Sequence, residues 1–317
     1  MVSDRTLVVI MVACISAVSI STLVKLNQDS FLSSIPLSFA TRPAHLEIDP
    51  AFIEEEKKNS KPASEASPTA EKKIIGVSAA SYIIGDTANG DVYLEYNSKK
   101  VMPVASMSKL VTAFVATDVI SSTTLIEITG DALKAPSDKS NLQQDEHYTR
   151  DEILYPLLLS SSNVAAEAIS ASIGDRPDFL EQMKGYSWEI GMPGSFFADP
   201  SGVSPRNAAT AYDIFALAGY LMNYRPDILA ITRNPKIEMA TTTGHGYHLI
   251  ESTHPFVNDP RFVGGKTGRT PEAGETMVTI LNMSGRNVAF VVLGSKDREN
   301  DTRTLIRVIE TALDAAL

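Results

Sequence analysis

The chain has 317 residues, a formal net charge of −10 and 44% hydrophobic residues. The acidic balance argues against a nucleic-acid partner, which calls for a basic face. A single cysteine, Cys14, excludes an intramolecular disulfide and a cysteine-based metal centre. The five histidines, His45, His147, His245, His248 and His254, form no HExxH pattern. No metal site or cofactor is expected, and the histidines are read as surface or loop residues.

Leu7 to Val24, LVVIMVACISAVSISTLV, carries no charge and is flanked by Arg5 and Lys25. Its length suits a slightly short membrane-spanning helix. A cleaved signal peptide and a lipoprotein signal ending at Cys14 are the alternatives. The apolar run continues past Cys14, so an uncleaved anchor over residues 1–24 is the expectation. Residues 25–73 include EIDPAFIEEEKKNSKPASEASPTAEKK, rich in Glu, Lys, Ser, Pro and Ala. That segment has too little apolar surface to offset chain entropy and is read as a mostly disordered tether. One globular domain is expected over residues 74–317.

Within it, GVSAASYIIGDTANGDVYLEY reads as two strands around a turn at Asn89-Gly90. A helix is expected from Ser106 to Ile120. TRDEILYPLLL opens with a capping box from Thr149 to Glu152, and Pro156 limits or kinks the helix it starts. SNVAAEAISASIG is a helix stopped by Gly174, RPDFLEQMKGYSWEIG a helix begun near Pro177, and TAYDIFALAGYLM a buried one. PRFVGGKTG, ETMVTILNM and NVAFVVLGS read as strands, the last two joined across Ser284-Gly285-Arg286. DTRTLIRVIETALDAAL closes the chain as an amphipathic helix that packs on the sheet. Strands at both ends around a run of helices imply an antiparallel sheet completed by the two chain ends, with a mostly helical insertion and a cleft between them.

Three short patterns carry chemistry. In PVASMSKLVTA, Ser106 and Lys109 are three apart and share a helical face, whereas Ser108 and Lys109 point apart. Near a helix start the dipole disfavours a cation, and burial lowers an amine's pKa. A neutral Lys109 amine can then take the proton of Ser106 and make it a nucleophile without a histidine. This is the chain's single SxxK, and no GxSxG elbow is present. In LLLSSSNVAA, an S-x-N pattern falls on Ser161 and Asn163 at a helix-to-helix turn, where capping alone would also explain it. In VGGKTGRT, Lys266, Thr267 and Gly268 lie on an expected strand. There a cation and a hydroxyl can grip a carboxylate, and a glycine allows close approach to the backbone.

SxxK, SxN and KTG occur once each and in that order, which resembles the active-site set of the penicillin-recognising serine acyltransferases. Over nearly all of Ile74 to Leu317 the chain is similar to the D-alanyl-D-alanine carboxypeptidases, the low-molecular-mass penicillin-binding proteins of peptidase family S11. PVASMSKLVTA, LLLSSSNVAAEAIS, FADPSGVSPRNAATAYDI and VGGKTGRTPEAGETMV carry the likeness. It implies an α/β (α+β) fold of the β-lactamase/transpeptidase type, an antiparallel sheet flanked by helices with a mostly helical subdomain. It implies Ser106 as the nucleophile that forms an acyl-enzyme, Lys109 as general base, and Ser161 as a proton relay held by Lys266. Asn163 would contact Lys109 and the substrate amide. Lys266 and Thr267 would bind the terminal carboxylate, and the N–H groups of Ser106 and Arg269 would form an oxyanion hole beside Gly268. The implied substrate is the peptidoglycan stem peptide, with β-lactams as covalent inhibitors and no cofactor. The catalytic domain would stand outside the cytoplasm on a bacterial membrane anchor.

Two positions depart from the family pattern. Ser162 stands where glycine is common, and Arg269 where an aromatic residue or histidine is common. A D,D-endopeptidase acting on cross-links would use the same residues. A β-lactamase would need a glutamate in an ExxLN-like loop; Glu167, Glu181, Glu189, Glu238 and Glu251 follow Asn163, and none begins that pattern. A non-catalytic cell-wall-binding or β-lactam-sensing domain would tolerate loss of Ser106, Lys109 or Lys266, and all three are present.

Overall fold

The computed structural model describes residues 50–54, 73–138 and 140–315. The apolar stretch Leu7–Val24 and most of the expected tether lie outside the described residues. Among the described residues no helix is long and apolar enough to cross a membrane.

In chain order the strands are β1 (Ser81–Asp86), β2 (Val92–Tyr96), β3 (Met102–Pro103), β4 (Leu125–Glu127), β5 (His147–Thr149), β6 (Ala208–Ala209), β7 (Lys236–Met239), β8 (His248–Glu251), β9 (Phe262–Thr270), β10 (Gly274–Met283) and β11 (Arg286–Ser295). The helices are α1 (Ser108–Val119), α2 (Arg150–Leu158), α3 (Asn163–Ile173), α4 (Arg176–Glu189), α5 (Ala211–Tyr224), α6 (Pro226–Thr232) and α7 (Arg298–Ala315). The main sheet has the order β2-β1-β11-β10-β9 and is antiparallel throughout. The amino-terminal hairpin therefore docks on the carboxy-terminal one, with Ile83 opposite Val291, and β9 forms an edge.

Both faces of this sheet are covered. Ile83, Val278, Ile280, Ala289 and Val291 pack toward the helical part. Tyr82, Ile84, Met277, Phe290 and Val292 pack with Leu305 and Ile309 of α7. Coverage on both sides is why β11 reads as an unbroken apolar run rather than an alternation. Inside the helical part, α1 is enclosed, every residue from Ser108 to Ala116 being buried. The Phe114 ring meets Tyr186 of α4 at 5.1 Å and Tyr220 of α5 at 5.0 Å. The capping box of Thr149 and Glu152 opens α2, which carries Pro156 and ends at Leu158. A second capping box, Thr210 with Asp213, opens α5.

The structure corrects three expectations. The helix does not begin at Ser106: a 3-10 turn, Ala105–Met107, precedes α1. Because i and i+3 also align in a 3-10 turn, the Ser106–Lys109 contact survives the change. The domain reaches back into the expected tether, where Pro50–Phe52 form a turn and Ile53 pairs with Ile74. Phe52 and Ile53 are two apolar residues of that segment, and they pack on the α7 side of the core. Finally, His245, His248 and His254 are buried rather than superficial. His248 Nε2 lies 2.9 Å from Glu146 Oε1 and 2.8 Å from Tyr148 Oη, and the His245 ring stacks on Tyr148 at 4.5 Å. His254 Nε2 donates to Val278 O at 3.1 Å, and burial pushes its imidazole down to about 3, so it stays neutral.

Asp301 of α7, 1% exposed, ties the two chain ends together. It accepts from Ser78 N and Ser78 Oγ at 2.8 Å and from Ser295 Oγ at 2.6 Å. Asp301→Ala strands these donors and is expected to lower the unfolding free energy by about 2 kcal/mol. Urea denaturation checks this as a lower midpoint with an unchanged slope.

Candidate active site

Ser106 stands on a turn whose shape is imposed from both sides. Ala105 has a left-handed backbone, φ 50°, which costs a residue with a Cβ about 1 kcal/mol or more. Gly202, at φ +84°, lies so close that a Cβ there would meet Ala105 O at 2.0 Å. From β9, a Cβ on Gly268 would come within 2.8 Å of Ser106 N. Only glycine at these two positions lets the loop and the strand clasp the turn.

The Lys109 side chain is fully buried, and its Nζ lies 3.0 Å from Ser106 Oγ. Two further oxygens, Asn163 Oδ1 and Ser201 O, each lie 2.6 Å from Nζ. Burial lowers the amine to about 7, against the opposing pull of Asp199, Asp138 and Glu167. A neutral amine has two N–H bonds and one lone pair. With the two oxygens taking the N–H bonds, the lone pair is left for the Ser106 hydroxyl. Ser108 points elsewhere: its Oγ donates to Ala105 O at 3.0 Å and accepts from Asn207 Nδ2 at 3.1 Å. It pins the nucleophile turn to the loop before β6.

Ser161 ends the link between α2 and α3 in a left-handed conformation, φ 63°. Lys266 Nζ, on β9, donates to Ser161 Oγ and to Thr267 O, both at 2.9 Å. Burial, and then the charges of Lys109 and Arg298, hold the Lys266 amine well below its ordinary range. Ser162 faces away from the cleft and caps α3, its Oγ accepting from Ala165 N at 3.0 Å. The Asn163 carboxamide is engaged at both ends, Oδ1 on Lys109 and Nδ2 on Pro136 O at 2.7 Å.

These groups meet in one cavity of about 360 Å³, lined among others by Ser106, Ser161, Asn163, Thr267, Gly268 and Arg269. Every residue singled out by the three motifs is thus brought to one place. Arg269 is the outlying member, its side chain 76% exposed and 3.8 Å from Glu275. Sequence reasoning missed Thr253, Ser137 and Arg298, which also line the cavity. Thr253 Oγ1 is 3.1 Å from Thr267 Oγ1, and Arg298 Nη1 donates to Gly268 O at 2.7 Å. No local motif marks Arg298. Its signal is topological: β10 and β11 form a hairpin, so the chain after Ser295 returns to the end of β9. A half-buried guanidinium beside Thr267 and Lys266 gives this end of the cavity donors of the kind that can grip a carboxylate. Among the described residues no group of histidines, cysteines or carboxylates is arranged to hold a metal ion.

A family model described as D-alanyl-D-alanine carboxypeptidase, peptidase S11, matches residues 65–297. The D-alanyl-D-alanine endopeptidase of Haemophilus influenzae is 26% identical over 231 residues, covering 71% of this chain and 78% of that one. A D-alanyl-D-alanine carboxypeptidase of Mycobacterium tuberculosis is 25% identical over 219 residues, covering 68% of this chain and 74% of that one. The structure of penicillin-binding protein D2 from Listeria monocytogenes in its cefotaxime-bound form superposes with a TM-score of 0.66 at 26% identity, over 76% of this chain and 99% of that one. The chain belongs to peptidase family S11.

The buried Lys109 amine has a thermodynamic signature. The unfolded lysine keeps its proton up to its ordinary value of 10.5, whereas the folded one releases it at about 7. Between these limits the unfolded chain binds more protons, so this group makes stability rise with pH. Lys109→Met is expected to flatten that rise, measured by urea unfolding across the alkaline range.

Proposed function

We propose that this chain is a serine D,D-peptidase that hydrolyses the D-alanyl-D-alanine terminus of peptidoglycan stem peptides, a D-Ala-D-Ala carboxypeptidase. One observation carries the reading: a fully buried Lys109 amine lies 3.0 Å from the Ser106 hydroxyl, and Ser106 shares one cavity with Ser161, which Lys266 holds.

The chemistry follows from the contacts. Ser106 Oγ attacks the carbonyl between the two D-alanines while Lys109 takes its proton. Asn163 Oδ1 and Ser201 O, already 2.6 Å away, stabilise the ammonium that forms. The N–H groups of Ser106 and Arg269 receive the oxyanion. Ser161 passes a proton to the departing amine, with Lys266 orienting its hydroxyl. Lys266, Thr267 and Arg298 hold the carboxylate of the leaving D-alanine. Water then hydrolyses the ester on Ser106, and the trimmed peptide departs. A β-lactam presents the same carbonyl and carboxylate and acylates Ser106. Glu167 does not line the Ser106 cavity; it pairs with Arg176 at 2.9 Å. Glu272 does line the cavity, but it follows the KTG motif and begins no ExxLN-like loop of the kind a β-lactamase uses for deacylation, so penicillin is released slowly.

Cleavage of D,D cross-links is the second reading. It is favoured by the similarity to endopeptidases and by the exposure of Arg269 at the open end of the cleft, where an extended leaving group would lie. In either case we infer a domain that works outside the cytoplasm, where that substrate lies, with the apolar stretch Leu7–Val24 as its proposed membrane anchor.

Labelling with fluorescent penicillin tests the nucleophile: Ser106→Ala abolishes the label, and Ser108→Ala retains it. Labelling at Ser108 instead would sink the assignment. The rate of acylation is expected to rise with pH through about 7, as Lys109 loses its proton. D-alanine release from a pentapeptide, compared with cleavage of a cross-linked dimer, separates the two reactions.

A further inference from the structure

We propose that Asp138 is a positioning residue for acyl transfer, clamping the Ser161–Asn163 turn to the Pro136–Asp138 stretch so that both motif side chains stand against the two lysines. The inference rests on the acyl-transfer reading above and assigns a role to a residue outside the three motifs.

The Asp138 carboxylate accepts four hydrogen bonds. Oδ1 takes Ser140 N at 2.8 Å and Ser140 Oγ at 2.5 Å. Oδ2 takes Ser162 Oγ at 2.7 Å and Val164 N at 2.9 Å. The last two donors belong to the start of α3, where a negative charge also meets the positive end of the helix dipole. Although burial opposes ionisation, these donors keep the carboxyl below its ordinary range. Two residues upstream, Pro136 O holds Asn163 Nδ2 at 2.7 Å. The carboxamide that touches Lys109 is therefore fixed from the same stretch that Asp138 anchors. Ser161 immediately precedes these ties with a left-handed backbone, φ 63°, a conformation that persists only where the surroundings over-determine it. This also accounts for Ser162 in the place where glycine is common: its hydroxyl is the link to Asp138.

Asp138 acts on Lys109 through space as well. The groups facing the Lys109 amine are Asp138, Asp199 from the loop before β6, Glu167 from α3 and Lys266 from β9. The three carboxylates favour its protonated form. Removing the Asp138 charge lets Lys109 stay neutral to lower pH.

The test is the rate of acylation by a chromogenic β-lactam from about pH 5 to pH 9, with thermal unfolding of each protein. The proteins are the full chain, Asp138→Asn and Ser162→Ala. Loss of the clamp is expected to slow acylation by about 10- to 100-fold in both variants, the scale of a misplaced catalytic group. Only Asp138→Asn moves the acid limb of the profile to lower pH, because Ser162→Ala keeps the charge. A rate for Asp138→Asn within about two-fold of wild type, or a loss with the acid limb unmoved, overturns the proposal. If Asp138→Asn does not fold, Ser162→Ala decides, and an unchanged rate overturns it. A wild type that is not acylated at Ser106 removes the acyl-transfer reading itself, and is thereby distinguished from failure of the clamp.

Discussion

The contact on which the rest depends is that of one lysine amine with three oxygens in a dry place. A charged ammonium at the Lys109 position would lose its hydration and regain only part of that loss from Asn163 and Ser201. A neutral amine loses far less, and in the proposed reaction it serves as the base. The enclosure of α1 serves this balance: Leu110, Val111 and Phe114 keep water from the lysine stem. Its outer wall is made by aromatic rings of α4 and α5, so two helices that carry no motif residue still govern the chemistry. The second buried amine, Lys266, adds a constraint of its own. After burial, the charge of Lys109 is the next cause that disfavours a protonated Lys266, so the two amines oppose each other's ionisation. Holding Lys109 neutral relieves that opposition.

The backbone answers a different requirement. The proposed chemistry needs a nucleophile that is reachable while its base stays hidden. Ser106 is half-buried and Lys109 fully buried, although they are three residues apart. The turn at Ala105 makes this possible by lifting Ser106 toward the cleft, while α1 carries Lys109 inward. That turn is held by Gly202 on one side and Gly268 on the other, and by Thr276 of β10, which donates to Val104 O at 3.0 Å. The sheet edge, the helical part and the loop before β6 thus converge on one strained residue. Strain of this kind marks sites where positioning outweighs local stability.

Much of this was legible in the sequence, for reasons that can be named. The SxxK pair could be read because i and i+3 spacing survives a change from α to 3-10 geometry. The capping box at Thr149 and the hairpin at Ser284-Gly285 are local rules and needed no tertiary information. The order of motifs fixed which serine turn and which strand belonged together. Arg298 and Thr253 were illegible because their neighbours are created by the return of one strand beside another. Asp138 was illegible because a carboxylate in a polar loop looks solvated until its four donors are seen. The buried histidines were misread for the same reason: Glu146 and Tyr148, which give His248 its partners, are about a hundred positions away. The short strands β3 to β8 have two to four residues, below the length at which periodicity speaks.

The pairing of β1 with β11 has a consequence in time rather than in space. Tyr82 meets Val292, and Ile83 meets Val291, across most of the domain's length. Contacts of such large sequence separation form late, since the loop between them must close first. The nucleophile turn at Ser106 emerges early in synthesis, but the strand that clasps it and the arginine that completes the cavity come near the end. An incomplete chain therefore holds a serine and a lysine with nothing to dry the one or aim the other. In the proposed reading the acylating site is complete only once the last hairpin has closed on the first.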